Sequence, residues 1–156
     1  MDIITEVINK EGPPSNDPID AGGRTQFGIS ERSNPDAWAD GKVTEEEARG
    51  IYEAKYVKGP RFDQIPDPHL RAHLVDFGVN SGPMIAIMKL QEILHVPVDG
   101  VIGPDTLYAL SLVQSEKVNQ VLVVKRVLLI GKIVVKHPPQ AKFLIGWLTR
   151  ALEWLT

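Results

Sequence analysis

Glu11, Asp20 and Thr25 are the residues whose types and spacing invite chemistry. Glu11 closes a short amphipathic run, and the stretch around it, KEGPPSNDPIDAGGRTQFGIS over 10–30, is rich in glycine, proline and acids. A carboxylic acid at a helix end and a cleft wall is desolvated, which favours the protonated form that a general acid needs. Asp20 lies nine residues on and Thr25 fourteen on, across a turn able to fold back as a β-hairpin. Such a fold-back sets a carboxylate and a hydroxyl opposite Glu11. Glycosidic cleavage uses that set: an acid to protonate the leaving oxygen, and on the opposite face a base, nucleophile or holder of water. A plainer reading also fits. Most of the twenty acids are expected at the surface, and SNDP and DAGG are strong turn formers in which Asp17 and Asp20 bond to their own backbone. Spacing alone leaves both readings open.

The elements that must position these residues are mostly helices. Ile3, Ile4, Val7 and Ile8 follow the helical period, so residues 2–11 read as a helix stopped by Gly12-Pro13-Pro14. Beyond it, TQFGIS is a short extended piece, and two or three small strands fit between 12 and 30. Thr44 and Glu47 form a capping box, behind which Ala48, Ile51, Tyr52 and Tyr56 share a face. Asp67-Pro68 opens a helix that runs through Leu70, Leu74, Phe77 and Val79 to NSGP, and MIAIMKLQEIL makes another. HVPVDGVIGP is a loop, DTLYALSLV resumes the helix, and a long helix covers about 117–136. Pro138-Pro139 breaks it, and AKFLIGWLTRALEWL closes the chain with Trp147 and Trp154 on one core-facing side. The expected fold is mainly α with a small β-hairpin element near residues 15–30. It divides into a catalytic region over 1–90 and a helical region over 91–156, packed as one body.

Composition excludes several classes. With 43% hydrophobic and 24% charged residues, the 156-residue chain reads as an ordinary soluble domain. There is no cysteine, hence no disulfide framework and no thiolate nucleophile or metal ligand. The start, MDIITEVINKEG, has no signal-peptide pattern, and the apolar tract VLVVKRVLLIGKIVV carries three charges that argue against a membrane span. His69 and His73 stand four apart, but HLRAH lacks the glutamate of a zinc hydrolase, so no metal is expected. No cofactor, no nucleic-acid partner and a monomeric chain complete the expectation. Residues 117–156 hold seven Lys and Arg against Glu153, a balance of +6 on an otherwise acidic chain. That asymmetry suggests contact with an anionic surface, or simply two solvated helix faces.

The stretch EGPPSNDPIDAGGRTQFGIS resembles the N-terminal signature of glycoside hydrolase family 108, muramidases found largely in phages and prophages of Gram-negative bacteria. That signature reads approximately E-G-G-Y-x-N-D-P-x-D-x-G-G-x-T-x-F/Y-G-I. Glu11, Asn16, Asp17, Asp20, Thr25, Phe27 and Gly28 all fall on it. VTEEEARGIYEAKY is similar to the family's second helix, and VDFGVNSGPMIAIMKLQ to its D-F-x-V-N-S-G segment. VPVDGVIGPDTLYAL resembles the peptidoglycan-binding region that usually follows, and FLIGWLTRALEW its closing helix. The resemblance implies a lysozyme-like fold, with hydrolysis of the β-1,4 bond between N-acetylmuramic acid and N-acetylglucosamine. It places Glu11 as the catalytic acid. The set Glu11, Asp20, Thr25 is also similar to the acid, aspartate and threonine of phage lysozymes, where the last two handle the water.

One departure stands out: Pro13-Pro14 replaces the family's Gly-Tyr, which stiffens the turn and deletes an aromatic ring. Asn16, Asp17, Gln26, Tyr52, Asn80 and Ser81 are expected to bind substrate, Gln26 facing the cleft by strand alternation if Phe27 enters the core. Asp76, Asp99-Gly100 and Thr106 are expected to be structural. The implied role is an endolysin held in the host cytoplasm until a separate protein opens the membrane. The alternatives are a lytic transglycosylase acting on the same bond, which needs no residue to hold water, and a phage protein that binds the wall without cutting it.

Overall fold

In the computed structural model, which describes residues 2–11 and 24–155, helices carry the fold and one small hairpin interrupts them. The chain forms two compact units, Met1–Gly59 and Pro60–Thr156.

In the first unit, helix α1 (Ile3–Lys10) is capped by Asp2, whose carboxylate accepts the Ile4 N–H at 3.4 Å. It buries Ile4, Val7 and Ile8 and ends at Glu11, whose N–H donates to the Val7 and Ile8 carbonyls. Strands β1 (Thr25–Gln26) and β2 (Ile29–Ser30) pair antiparallel, Thr25 opposite Ser30 and Gln26 opposite Ile29. The turn between them is Phe27-Gly28, with φ of 52° and 75°. Two positive φ values are what a two-residue hairpin of this twist demands. Helix α2 (Glu45–Tyr52) opens on the expected capping box: Thr44 Oγ1 accepts the Glu47 N–H at 3.2 Å, and Glu47 Oε2 accepts the Thr44 N–H at 2.8 Å. Arg49 ties α2 to α1, donating to Thr5 Oγ1 at 2.7 Å and pairing with Asp2.

Past Tyr52 the backbone widens into a π-helical stretch, Glu53–Lys58. The extra residue per turn rotates the buried face, so Val57 is buried and Tyr56 is half-buried. Tyr52 and Tyr56 still share a side as expected, with ring centroids 5.6 Å apart, and the π-helical turn adds Val57 to the buried face.

The second unit begins with a 3₁₀ turn, Phe62–Gln64, and helix α3 (Pro68–Ser81). Asp67 Oδ1 accepts the Leu70 N–H at 2.7 Å with Pro68 in the first helical position, the start that Asp-Pro predicts. Helices α4 (Pro83–Leu94), α5 (Pro104–Ser111), α6 (Ser115–Lys136) and α7 (Leu144–Leu152) follow. α3 packs on α4 and α6, and α7 packs on α6. Phe62, Leu70, Leu74, Phe77, Leu90 and Leu122 are fully buried between them. The loop before α5 is held by buried Gln91, which donates to Asp99 Oδ1 at 2.7 Å and to Thr106 Oγ1 at 3.2 Å and accepts the Gly100 N–H at 2.9 Å. Asp99, Gly100 and Thr106 therefore serve this loop. No helix among the described residues is long and apolar enough to cross a membrane.

The closing segment is not one helix. It runs as a 3₁₀ stretch (Pro138–Phe143), α7, and a final 3₁₀ turn (Glu153–Leu155). Trp154 is buried in that last turn and Trp147 is half-buried on α7, so the two do not share the expected core face. The reason lies at Asp76, whose Oδ2 accepts the Trp154 indole N–H at 3.2 Å.

Asp76 itself is fully buried and pairs with Arg126 Nη1 at 2.8 Å and Arg150 Nε at 2.9 Å. Burial alone would push its carboxyl up; the two guanidiniums outweigh that and hold it below the usual carboxylate range. His73, one turn earlier, is also fully buried, stacked on Trp154 at 5.1 Å with Nδ1 2.7 Å from Asn119 Oδ1. Burial pushes the imidazole down to about 4, so it is neutral at pH 7. The basic C-terminal segment is correspondingly less basic at its surface than its composition: Arg126 is 1% exposed, Arg150 shares Asp76, and Lys125 pairs with Glu92 at 2.9 Å.

Candidate active site

The hairpin turn and the end of α1 meet. A Cβ built on Gly28 would lie 2.9 Å from Glu11 Cγ, 3.2 Å from Glu11 Cβ and 2.4 Å from the Tyr52 hydroxyl. At φ +75° and with those neighbours, glycine is the residue that fits. The Glu11 side chain thus leaves the last turn of α1 and rests its stem on the bare backbone at Gly28, on the hairpin that carries Thr25. The Glu11 residue as a whole is exposed, which corrects the expectation of a half-buried acid within this unit. Tyr52 Oη donates to the Phe27 carbonyl at 3.2 Å, so the turn is fastened to α2 from its other side.

The remaining contacts brace the hairpin. Arg24 clamps Glu31 through Nε at 2.9 Å and Nη2 at 2.7 Å, a bidentate pair closing the hairpin base. Those hydrogen bonds hold the Glu31 carboxyl below its usual range. The Arg24 guanidinium also donates to the Gly41 carbonyl and lies 4.9 Å over the Trp38 ring. Trp38 is buried and donates its indole N–H to the Ile29 carbonyl at 3.2 Å. Trp38 therefore supports β2 from beneath.

Gln26 does the same from β1: its side-chain oxygen accepts the Val43 N–H at 3.2 Å. The condition for Gln26 to face the cleft, Phe27 in the core, is not met. The tight turn takes Phe27 out of the strand and leaves it half-buried, and Ile29 enters the core in its place. Gly28, Tyr52 and Tyr56 line a cleft of about 180 Å³ with Ser33 and Asn34. That is smaller than the roughly 300 Å³ at which small-molecule sites begin. It suits one substituent of a larger ligand.

Of the residues singled out in the sequence, the structure brings Glu11 and Tyr52 together at Gly28, with Thr25 on the same hairpin. Asn16, Asp17 and Asp20, and the Pro13-Pro14 pair, lie outside the described residues. Asn80 and Ser81 sit at the end of α3 in the second unit, where they line a groove with Phe143 and Trp147. Sequence reasoning missed Gly28 as a positioning residue. The signal was available in its motif, where phenylalanine-glycine between two short extended pairs is the pattern of a two-residue turn. Among the described residues, no three His, Asp or Glu side chains gather as a metal site.

Comparison with known proteins agrees with this geometry. Residues 4–82 match the family model of glycosyl hydrolase 108, and residues 85–152 match that of a predicted peptidoglycan domain. No curated protein matches the chain. The solved structure of Brucella abortus SagA superposes with a TM-score of 0.71 and 27% identity, covering 97% of this chain and 92% of that one. The fold is therefore lysozyme-like as well as mainly α. The two matched segments make the protein a peptidoglycan-degrading glycoside hydrolase. The chain belongs to the glycosyl hydrolase 108 family and carries a peptidoglycan-binding region behind the hydrolase segment.

Proposed function

We propose that the protein is an endolysin that hydrolyses the β-1,4 bond between N-acetylmuramic acid and N-acetylglucosamine, with Glu11 as general acid. The observation that carries the reading is the seat of Glu11: a helix-terminal carboxylic acid on an exposed residue, whose stem lies on Gly28. Protonated Glu11 gives its proton to the glycosidic oxygen as the bond to the muramic acid carbon breaks. Asp20 holds or deprotonates the water that completes the reaction, and Thr25 orients it. Asn16 and Asp17 contact the sugar beside them. The catalytic work falls to residues 1–90, and residues 91–156 hold the wall.

The chain works as a monomer, without cofactor. In this reading it collects in a host cytoplasm and reaches the wall once a separate protein opens the membrane. Lys117, Lys132, Lys136 and Lys142, which take no part in the ion pairs among the described residues, draw it to the anionic envelope. A mass spectrum of fragments released from purified Gram-negative peptidoglycan tests the bond assignment. Reducing N-acetylmuramic acid ends are the expected product. Anhydro ends, lighter by one water, would make the enzyme a transglycosylase instead.

A further inference from the structure

Helix α6 has a second apolar face that the fold leaves unused. Toward the core it buries Val118, Leu122, Val123 and Ile130. On the opposite side Val121, Val124, Leu128 and Val135 are between 44% and 82% exposed, and Gly131 completes their row. The steps along that row are three, four, three and four residues. This strict alternation is the seam by which one helix packs along another, narrower than the stripe with which a helix covers a globular core. Val127, Leu128, Gly131, Lys132, Val135 and Lys136 line an open apolar depression on this side, formed by α6 alone.

Gly131 is the residue that the chain's own packing does not explain. It stands in the interior of a 22-residue helix, where glycine costs helix stability relative to alanine. A Cβ built on it meets nothing within 4 Å, so no neighbour in the chain requires a bare backbone there. The missing side chain leaves a notch between Leu128 and Val135, the kind of hole that a side chain from a closely approaching helix fills. A lipid surface makes poor use of such a row. Interfacial helices present Trp, Phe and Leu to the membrane, and this one offers three valines, one leucine and a glycine.

The charges beside the row select the partner. At helical spacing Lys125, Lys132 and Lys136 follow one flank of it, and Gln120, Val127 and Val134 follow the other. Lys125 is taken by Glu92 at 2.9 Å, whereas Lys132 and Lys136 enter no ion pair among the described residues. The sequence has no acid from 117 to 152, and the one acid of α6, Glu116, stands in its first turn. A second copy of this helix therefore brings these lysines no counter-charge. We propose that the outer face of α6 is a docking site for an amphipathic helix of another protein. That helix has an apolar seam of the same spacing, a bulky side chain opposite Gly131, and Asp or Glu facing Lys132 and Lys136.

The test uses the full chain and a fluorescein-labelled peptide of three heptads, with leucine at both seam positions and glutamate at the flanking ones, followed by anisotropy. Repulsion between the glutamates keeps the free peptide from pairing with itself. Saturable binding is expected, at least tenfold tighter than that of the same peptide with lysine in place of glutamate. Leu128→Asp should remove it. Gly131→Ala should raise the urea midpoint of the protein, because alanine is the better helix former and has room, yet weaken peptide binding at least threefold by filling the notch. Opposite signs in those two readouts separate a docking role from a structural one. Lys132→Glu/Lys136→Glu should reverse the preference between the two peptides. No binding of the acidic peptide, equal binding of both peptides, or binding to Gly131→Ala as tight as to wild type would overturn the proposal. So would a dimer in sedimentation of the protein alone, or pelleting with phosphatidylglycerol vesicles while the acidic peptide stays unbound.

Discussion

Adding one methyl group at residue 28 tests how the acid is positioned. Gly28→Ala must hold a left-handed φ, at about 1–2 kcal/mol for a residue with a Cβ. Its Cβ also lands 2.4 Å from the Tyr52 hydroxyl and 2.9 Å from Glu11 Cγ. Tyr52 is 4% exposed and has little room to retreat, so its bond to the Phe27 carbonyl is the first to go, worth about 0.5–1.5 kcal/mol net. The summed destabilisation is about 1.5–3.5 kcal/mol. Activity suffers more than stability, because Glu11 must move as well, and a displacement of about 1 Å costs on the order of 100-fold. Tyr52→Phe removes the closer clash but not the one with Glu11. The double variant should therefore recover about 1 kcal/mol relative to the sum of the single changes. Its activity should stay near that of Gly28→Ala. Urea unfolding and clearing of a peptidoglycan suspension measure the two quantities. A Gly28→Ala protein with wild-type stability and rate, or strictly additive single changes, would refute the reasoning.

Two further predictions concern the second unit. Asp76→Asn leaves Arg126 buried without its counter-charge and should cost about 3–5 kcal/mol by chemical denaturation. Asp76→Asn/Arg126→Met should recover part of it, and a single change within 1 kcal/mol of wild type would contradict the pairing as drawn. His73 links stability to pH. The unfolded chain takes up its proton near 6.5 and the folded one at about 4, so stability is intact above 6.5 and falls as pH drops through that window. The loss at the bottom of the window is about 3 kcal/mol. His73→Gln should flatten unfolding free energy between pH 7 and 4.5 relative to wild type; an unchanged slope would remove His73 as the cause.

Helix starts were the most legible part of the sequence, because each is a local device. Thr44 with Glu47 and Asp67 with Pro68 act within one turn, and the structure uses both where the sequence places them. The hairpin was legible in outline, since TQFGIS brackets a turn residue with extended pairs. Its orientation was not. Strand alternation would have put Phe27 in the core, but a turn with two positive φ values takes Phe27 out of the strand count. Past Tyr52 periodicity kept Tyr56 beside Tyr52 but missed the burial of Val57, because a π-helical stretch changes the number of residues per turn and nothing local in EAKYVK announces it. The surface charge of the basic tail was legible only in part. Counting charges ignores partners, and Asp76, 50 residues before Arg126, turns a surface cation into a buried one. At the candidate site, Glu11 stood out by type and position. Gly28 did not, because a glycine's role there is set by two side chains, 17 residues before it and 24 after, that meet its bare backbone in space.

The central claim is that Glu11 supplies the proton that breaks the glycan strand. The most direct measurement is the initial rate at which wild type and Glu11→Gln release reducing ends from purified peptidoglycan, with both unfolding midpoints recorded. Glutamine keeps the stem on Gly28 but cannot deliver the proton. The account predicts a rate lowered at least 100-fold at an unchanged midpoint. A Glu11→Gln protein that cuts within a few-fold of wild type would contradict it and move the acid elsewhere in the chain.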